Sequence, residues 1–226
     1  MIELWGLKLN FYGLILGVSA LVAFEVSKRL ARQRKINEHV VEKAFYWAIG
    51  GGIIGARLYH VIDLWKKYYS YYPIRALYIW EGGLGIWGAV LGGLIGLMIF
   101  WHLSKKKFDL LVLFDIGVAG LPLAQAIGRL GNLVNGELYG RNGEPLFAYE
   151  GGLNLVLFYI LMKLSGSKKR GFLSGAYLIG YGVIRMVLEN LREEEIIWRL
   201  ASIPVAIIFS ILAVLTGSWL IFRRRS

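Results

Sequence analysis

Seven runs of mostly apolar residues, each about as long as a bilayer is thick, constrain this chain more than any other feature. A helix crosses the hydrocarbon core with about 20 apolar residues, whereas a barrel strand needs only about 9–11. Inside lipid every backbone N–H and C=O must be paired within the protein, so runs of this length have only the helix open to them. The spacing predicts spans at 9–26, 44–64, 77–101, 108–130, 147–164, 172–191 and 198–222. The fold class expected is therefore all-α, a polytopic transmembrane helix bundle. It forms one integral membrane domain over 1–226, with a reduced extracytoplasmic loop region near 135–148. Composition agrees: 57% of the 226 residues are hydrophobic and 18% are charged, unlike a soluble domain of this size. The first run has no basic leader and is followed at once by Lys28, Arg29, Arg32, Arg34 and Lys35, so it reads as a span and not as a cleaved signal.

The net charge of +11 would suit a nucleic-acid partner, but the lysines and arginines sit between the apolar runs. That placement belongs to the cytoplasmic loops of a membrane protein. With the amino terminus outside, the inner segments 25–43, 102–115, 163–171 and 223–226 hold 16 of the 26 Lys and Arg residues. Their only acids are Glu25, Glu38, Glu42, Asp109 and Asp115. Lys105, Lys106 and Lys107 mark one cytoplasmic exit, and Arg223, Arg224 and Arg225 another. The predicted topology is amino terminus out, carboxyl terminus in. There is no cysteine, which removes disulfides, an enzymic thiolate and any Cys-based metal site.

The chemistry gathers where the fourth run ends, in Gly128-Arg129-Leu130-Gly131-Asn132-Leu133-Val134-Asn135-Gly136-Glu137-Leu138-Tyr139-Gly140-Arg141. Arg129 and Asn132 are three residues apart and share a face if the helix continues. The glycines admit a ligand or a neighbouring helix close to the backbone. An arginine here can grip a phosphate through its planar fork of donors, and Asn132 and Asn135 can bond polar headgroup atoms. The sixth run repeats the theme: Tyr177, Tyr181, Arg185 and Glu189 recur every four residues as one stripe, which Arg192 extends. In the second run Arg57 lies about a turn below the outer rim. A buried arginine there calls for a carboxylate or a ligand phosphate as partner. His60 follows one turn later, and no His-x-x-x-His metal spacing occurs.

The pattern Gly-Arg-x-Gly-Asn-x-x-Asn-x-Glu-x-x-Gly over 128–140 resembles the signature of the prolipoprotein diacylglyceryl transferases, enzymes of the bacterial inner membrane. Other segments resemble the same family in order along the chain: Asn10-Phe11-Tyr12-Gly13, Trp80-Glu81-Gly82-Gly83, Tyr149-Glu150, and Tyr181-Gly182-Val183-Ile184-Arg185 with Glu189 and Arg192. Two departures stand out. Trp87 occupies the place of a family histidine considered as a catalytic base, and the extracytoplasmic insertion before Tyr149 is nearly absent.

The resemblance implies a reaction. Phosphatidylglycerol donates its sn-1,2-diacylglyceryl group to the thiol of a prolipoprotein's lipobox cysteine, a thioether forms and sn-glycerol 1-phosphate leaves. The catalytic residues expected are Arg129, Arg185, Glu137 and Glu189. Substrate binding is expected of Arg129, Asn132, Asn135, Gly140, Tyr12, Arg57 and Arg192. The partners are phosphatidylglycerol, the prolipoprotein signal peptide and membrane lipid; no cofactor, metal or nucleic acid is implied. The site would face the extracytoplasmic side. A multi-pass transporter of an anionic lipid or solute is the alternative, but it would put its charges near the midplane between inverted repeats. No such repeat is visible, and aspartates are too few for a metal-dependent headgroup transferase.

Overall fold

The computed structural model describes residues 2–4, 7–9, 11–105 and 107–223. Asn10, Lys106, Arg224 and Arg225, named above, lie outside the described residues, as does the side chain of Glu81. The chain is an all-α membrane bundle with two small antiparallel hairpins. Strands β1 (Ile2–Leu4) and β2 (Leu7–Leu9) precede α1 (Phe11–Gln33), α2 (Glu38–Asp63), α3 (Ile86–Leu103), α4 (Leu110–Ala119) and α5 (Leu121–Asn135). Then come α6 (Leu146–Leu164), α7 (Phe172–Glu189), β3 (Arg199–Leu200), β4 (Ile203–Pro204) and α8 (Val205–Phe222). Among the described residues six helical runs are long and apolar enough to cross a membrane: α1, α3, α4 and α5 taken together, α6, α7 and α8. The second run, α2, is 26 residues long but carries Arg57, His60 and Asp63 and falls short in hydropathy.

Several boundaries differ from the sequence expectation, each for a local reason. The third run is not helical from residue 77; α3 begins at Ile86. Gly82 and Gly83 take positive φ (86° and 68°), which breaks the helix, and short 3-10 turns at Pro73–Leu77 and Ile79–Glu81 replace it. The seventh run starts at Val205 and not at 198. Ala201 and Ser202 both adopt positive φ in the β3–β4 turn, and Pro204 has no N–H to give a longer helix. The fourth run breaks at Gly120 and Pro122, where the proline withholds a donor and α1 passes close by. A Cβ on Gly120 would lie 2.5 Å from the Ala23 carbonyl oxygen. Beyond that kink α5 stays helical to Asn135, so most of the signature stretch is helix and not rim.

Contacts divide the chain into two compact units, Met1–Arg34 with Leu111–Ser226, and Lys35–Leu110. In the larger unit Asp115, counted above with a cytoplasmic loop, is instead fully buried on α4. Its carboxylate accepts from the Gly171 N–H (2.9 Å) and from the N–H and hydroxyl of Ser174 (both 2.8 Å), which caps the first turn of α7. Arg34 pairs with it at 3.6 Å and also donates to the carbonyls of Ser165 and Ser167. The ends of α1, α6 and α7 are tied together there.

The smaller unit rests on a glycine seam between α2 and α3. A Cβ on Gly51 or Gly55 would lie 2.4 or 2.3 Å from the carbonyl oxygens of Gly92 and Gly88, and one on Gly92 would lie 2.2 Å from that of Gly51. The backbones are therefore in direct contact, as small-xxx-small packing in lipid allows. Gly92→Ala should lower stability by about 1–3 kcal/mol through overpacking, read as an earlier thermal transition in detergent. Gly50→Ala, one residue from the seam and with nothing within 4 Å, should leave the transition in place or raise it.

Candidate active site

The carboxyl-terminal half of α5 has one face given over to α1. Gly131 abuts the Tyr12 ring, where a Cβ would come 2.6 Å from Tyr12 Cδ2, and Gly128 faces Leu16. Those glycines therefore serve a neighbouring helix, and Tyr12 is delivered beside the signature. From the same turns Arg129 and Asn132 meet as the spacing predicts: Arg129 donates to Asn132 Oδ1 at 3.0 Å. The helix closes on Gly136 in the left-handed conformation (φ 67°), with the Glu137 N–H donating to the Asn132 carbonyl. This turn carries the exposed Glu137 back over the helix end. There its two oxygens accept from Asn132 Nδ2 (3.3 Å) and Asn135 Nδ2 (3.2 Å).

The segment after Glu137 is strapped to the end of α7. Gly140 bridges Arg192, and the Arg141 N–H donates to the Leu191 carbonyl at 3.0 Å. A Cβ at 140 would lie 2.7 Å from the Leu191 oxygen and closer still to Glu144 Oε2, so only glycine fits. The contacts of Gly140 are thus with the chain itself. In the same loop Glu144 accepts from the Asn142 side chain and main chain, which holds its pKa below the ordinary carboxylate value.

The centre of the site is an alternating row of charges across three helices. Glu150, on α6 and 1% exposed, accepts from Arg129 of α5 at 2.5 Å and lies 3.9 Å from Arg185 of α7. Arg185 in turn donates to Glu189 at 3.0 Å, and Arg192 lies 3.7 Å from the same carboxylate. Glu189 is 3% exposed. Isolated buried carboxylates are strongly disfavoured, and sharing each between two arginines removes most of that penalty. Three guanidinium groups against two buried carboxylates leave one positive charge in excess. Arg129 Nε and Arg192 Nε are buried and have no partner among the described residues. The row is thus one anion short of neutrality and holds spare donors for it.

Arg129, Asn132, Asn135, Glu137, Arg185, Glu189, Arg192, Gly140 and Tyr12 all fall within the larger unit. Arg57 belongs to the smaller one, and its partners are neither a carboxylate nor a phosphate. Its guanidinium donates to the carbonyls of Arg75 (2.5 Å), Ala76 (2.9 Å), Gly82 (2.7 Å) and Gly83 (3.3 Å), and it sits 5.5 Å from the Tyr69 ring centroid. One buried cation thus collects four carbonyls of the connector, of which the Arg75 oxygen also accepts from the Tyr78 N–H. The residue missing from the expected site is Glu150. Its Tyr149-Glu150 pair was visible, and the signal overlooked was an acid inside an apolar run, one turn before a second buried polar residue, Asn154.

The family model for prolipoprotein diacylglyceryl transferase matches residues 1–223. The phosphatidylglycerol–prolipoprotein diacylglyceryl transferase of Synechococcus elongatus is 33% identical over 96% of this chain and 84% of its own length. Proteins of the same name from Thermosynechococcus vestitus (31%, covering 98% of this chain and 91% of the relative) and Symbiobacterium thermophilum (34%, 98% and 92%) are similar to the same extent.

The row makes an ordering testable. Glu150→Gln leaves two arginines without their shared carboxylate and should lower stability by about 3–5 kcal/mol. Arg192→Gln removes only the 3.7 Å ion pair and leaves Glu189 its 3.0 Å bond from Arg185, so it should cost clearly less than Glu150→Gln. Thermal transitions of the two purified variants in detergent give the comparison.

Proposed function

The chain belongs to the prolipoprotein diacylglyceryl transferase family, and on that premise we propose that it transfers the sn-1,2-diacylglyceryl group of phosphatidylglycerol to the lipobox cysteine thiol of a prolipoprotein. The observation that carries this reading is the Arg129–Glu150–Arg185–Glu189–Arg192 row, with its one positive charge in excess and two unpartnered buried Nε donors. A phosphodiester has one negative charge and presents acceptor oxygens, the complement of that row.

In the proposed step the substrate's sulfur attacks the sn-3 carbon of the diacylglyceryl group. The new S–C bond replaces the C–O bond to phosphate, and the electron pair leaves on sn-glycerol 1-phosphate. Arg129 and Asn132 hold the phosphate and the glycerol headgroup, with Asn135 beside them. Arg185 and Arg192 face the charge that grows on the leaving oxygen, where fixed donors in a water-poor site act most strongly. The same cations favour the thiolate over the thiol of the incoming cysteine. Glu189 fixes the arginines. Glu137, the exposed carboxylate, takes the thiol proton. Tyr12 and the Gly140 strap border the headgroup. We place the protein in the cytoplasmic membrane with this site extracytoplasmic, where precursors emerge. In support, Asp115, Arg34 and the basic ends of α6 and α8 gather at the other end of the larger unit.

The direct test is incubation of the purified protein with phosphatidylglycerol and a lipobox peptide, read by mass for a diacylglyceryl adduct. Absence of the adduct with folded protein overturns the reading. Arg129→Lys should lose about a hundredfold or more in rate while remaining folded, since an ammonium cannot copy the guanidinium fork. The pair Arg185→Gln, Glu189→Gln should remain as inactive as Arg185→Gln alone. Recovery in the double variant would reduce the two to a neutralising ion pair.

A further inference from the structure

One helical turn deeper than the arginine row lies a second polar layer that the reaction above leaves unused. The buried stripe of α6 runs Leu146, Glu150, Asn154, Leu157 and Leu161, so its chemistry changes stepwise from carboxylate to amide to hydrocarbon. Glu150 marks the arginine level. Leu157 marks the apolar level, packed against Gly180 of α7 where a Cβ would lie 2.4 Å from Leu157 Cδ1. Asn154 lies between them and is fully buried. Neither its Oδ1 nor its Nδ2 has a partner among the described residues.

The neighbouring helices match this level. Gln125, one turn below Arg129 on α5, donates to the Tyr177 hydroxyl at 3.0 Å and keeps a buried, unpartnered Oε1. Tyr177, two turns below Arg185 on α7, stacks on Tyr181 with centroids 5.8 Å apart and planes 9° from parallel. This layer holds no charge, only amides and phenols. A leucine at 154 would continue the stripe without the penalty of burying an unpaired amide, so the asparagine calls for a ligand acceptor.

We propose that Asn154 donates to an ester carbonyl of the lipid's diacylglyceryl group and so positions the donor substrate; this rests on the transfer reaction proposed above. A glycerophospholipid presents three chemistries in order of depth: an anionic phosphate, then neutral ester carbonyls a few bonds below, then hydrocarbon. The protein presents guanidinium groups, then the Asn154 amide with Gln125 and the two tyrosines, then Leu157 and Leu161. The step between the first two protein levels is one helical turn, about 5.4 Å, comparable with the reach from phosphate to ester. An ester carbonyl accepts and never donates, and the free Nδ2 of Asn154 is a neutral donor suited to it.

The test compares diester phosphatidylglycerol with its 1,2-di-O-alkyl analogue, which has the same phosphate and chains but no carbonyls. Thioether formation on a lipobox peptide is followed by mass for the parent and for Asn154→Leu. The parent should prefer the diester by about five- to tenfold in kcat/KM, the scale of one hydrogen bond. Asn154→Leu should bring the two lipids to the same rate with the peptide KM unmoved. Asn154→Ala makes the same measurement if leucine overfills the position. Equal use of both lipids by the parent overturns the proposal, as does a variant that keeps the preference or shifts only the peptide KM. A parent that transfers nothing from the diester lipid instead overturns the reaction on which the proposal stands.

Discussion

Two carboxylates buried where three helices converge, each shared by two arginines, are the constraint from which the functional end of this protein follows. Burying Glu150 or Glu189 alone in so apolar a setting would be costly, and so would burying an arginine of the row without them. The arrangement is mutual, so Arg129, Arg185 and Arg192 are held in place before any ligand arrives. Because arginines outnumber carboxylates, the row keeps a standing affinity for an anion. Guanidinium groups held in this way do not have to reorganise as charge develops, which is the condition for strong electrostatic catalysis.

The rest of the bundle positions that row. Close packing of α1 on Gly131 and Gly120 fixes the lateral position of α5, and the bond from Arg129 to Glu150 joins α5 to α6. At the opposite end Asp115 caps α7 and joins Arg34. Arg185 and Glu189 thus sit on a helix anchored below, while Gly140 and Arg141 strap its upper end to the loop that carries Glu137. The smaller unit solves a different problem by related means. Arg57 holds an irregular connector together through four carbonyls, a use of buried charge that organises backbone.

Polarity falls with depth in the larger unit, from guanidinium through amide and phenol to leucine. In the proposed reaction this gradient parallels the lipid that would lie against it. A site of this kind would bind its donor along the whole glycerol region and leave the sulfur nucleophile to the protein substrate, which suits a chain without cysteine.

How much of this was legible without coordinates differs from element to element. The all-α membrane class, the face shared by Arg129 and Asn132, and the Tyr177–Tyr181–Arg185–Glu189 stripe follow from composition and from a period of 3.6, because they depend on the chain within one helix. The family signature was readable for the same reason, being contiguous. What joins α5 to α6 and α7 was not. Nothing local says that Glu150 lies against two arginines that precede and follow it by 21 and 35 positions, that Asp115 caps a helix 56 residues on, or that Arg57 is satisfied by carbonyls. The breaks at 82–83 and 201–202 were likewise hidden, since an apolar run reads the same whether its backbone is helix or turn. Local periodicity determines which residues share a helix face; which faces meet, and therefore which charges neutralise one another, is decided only when the helices pack.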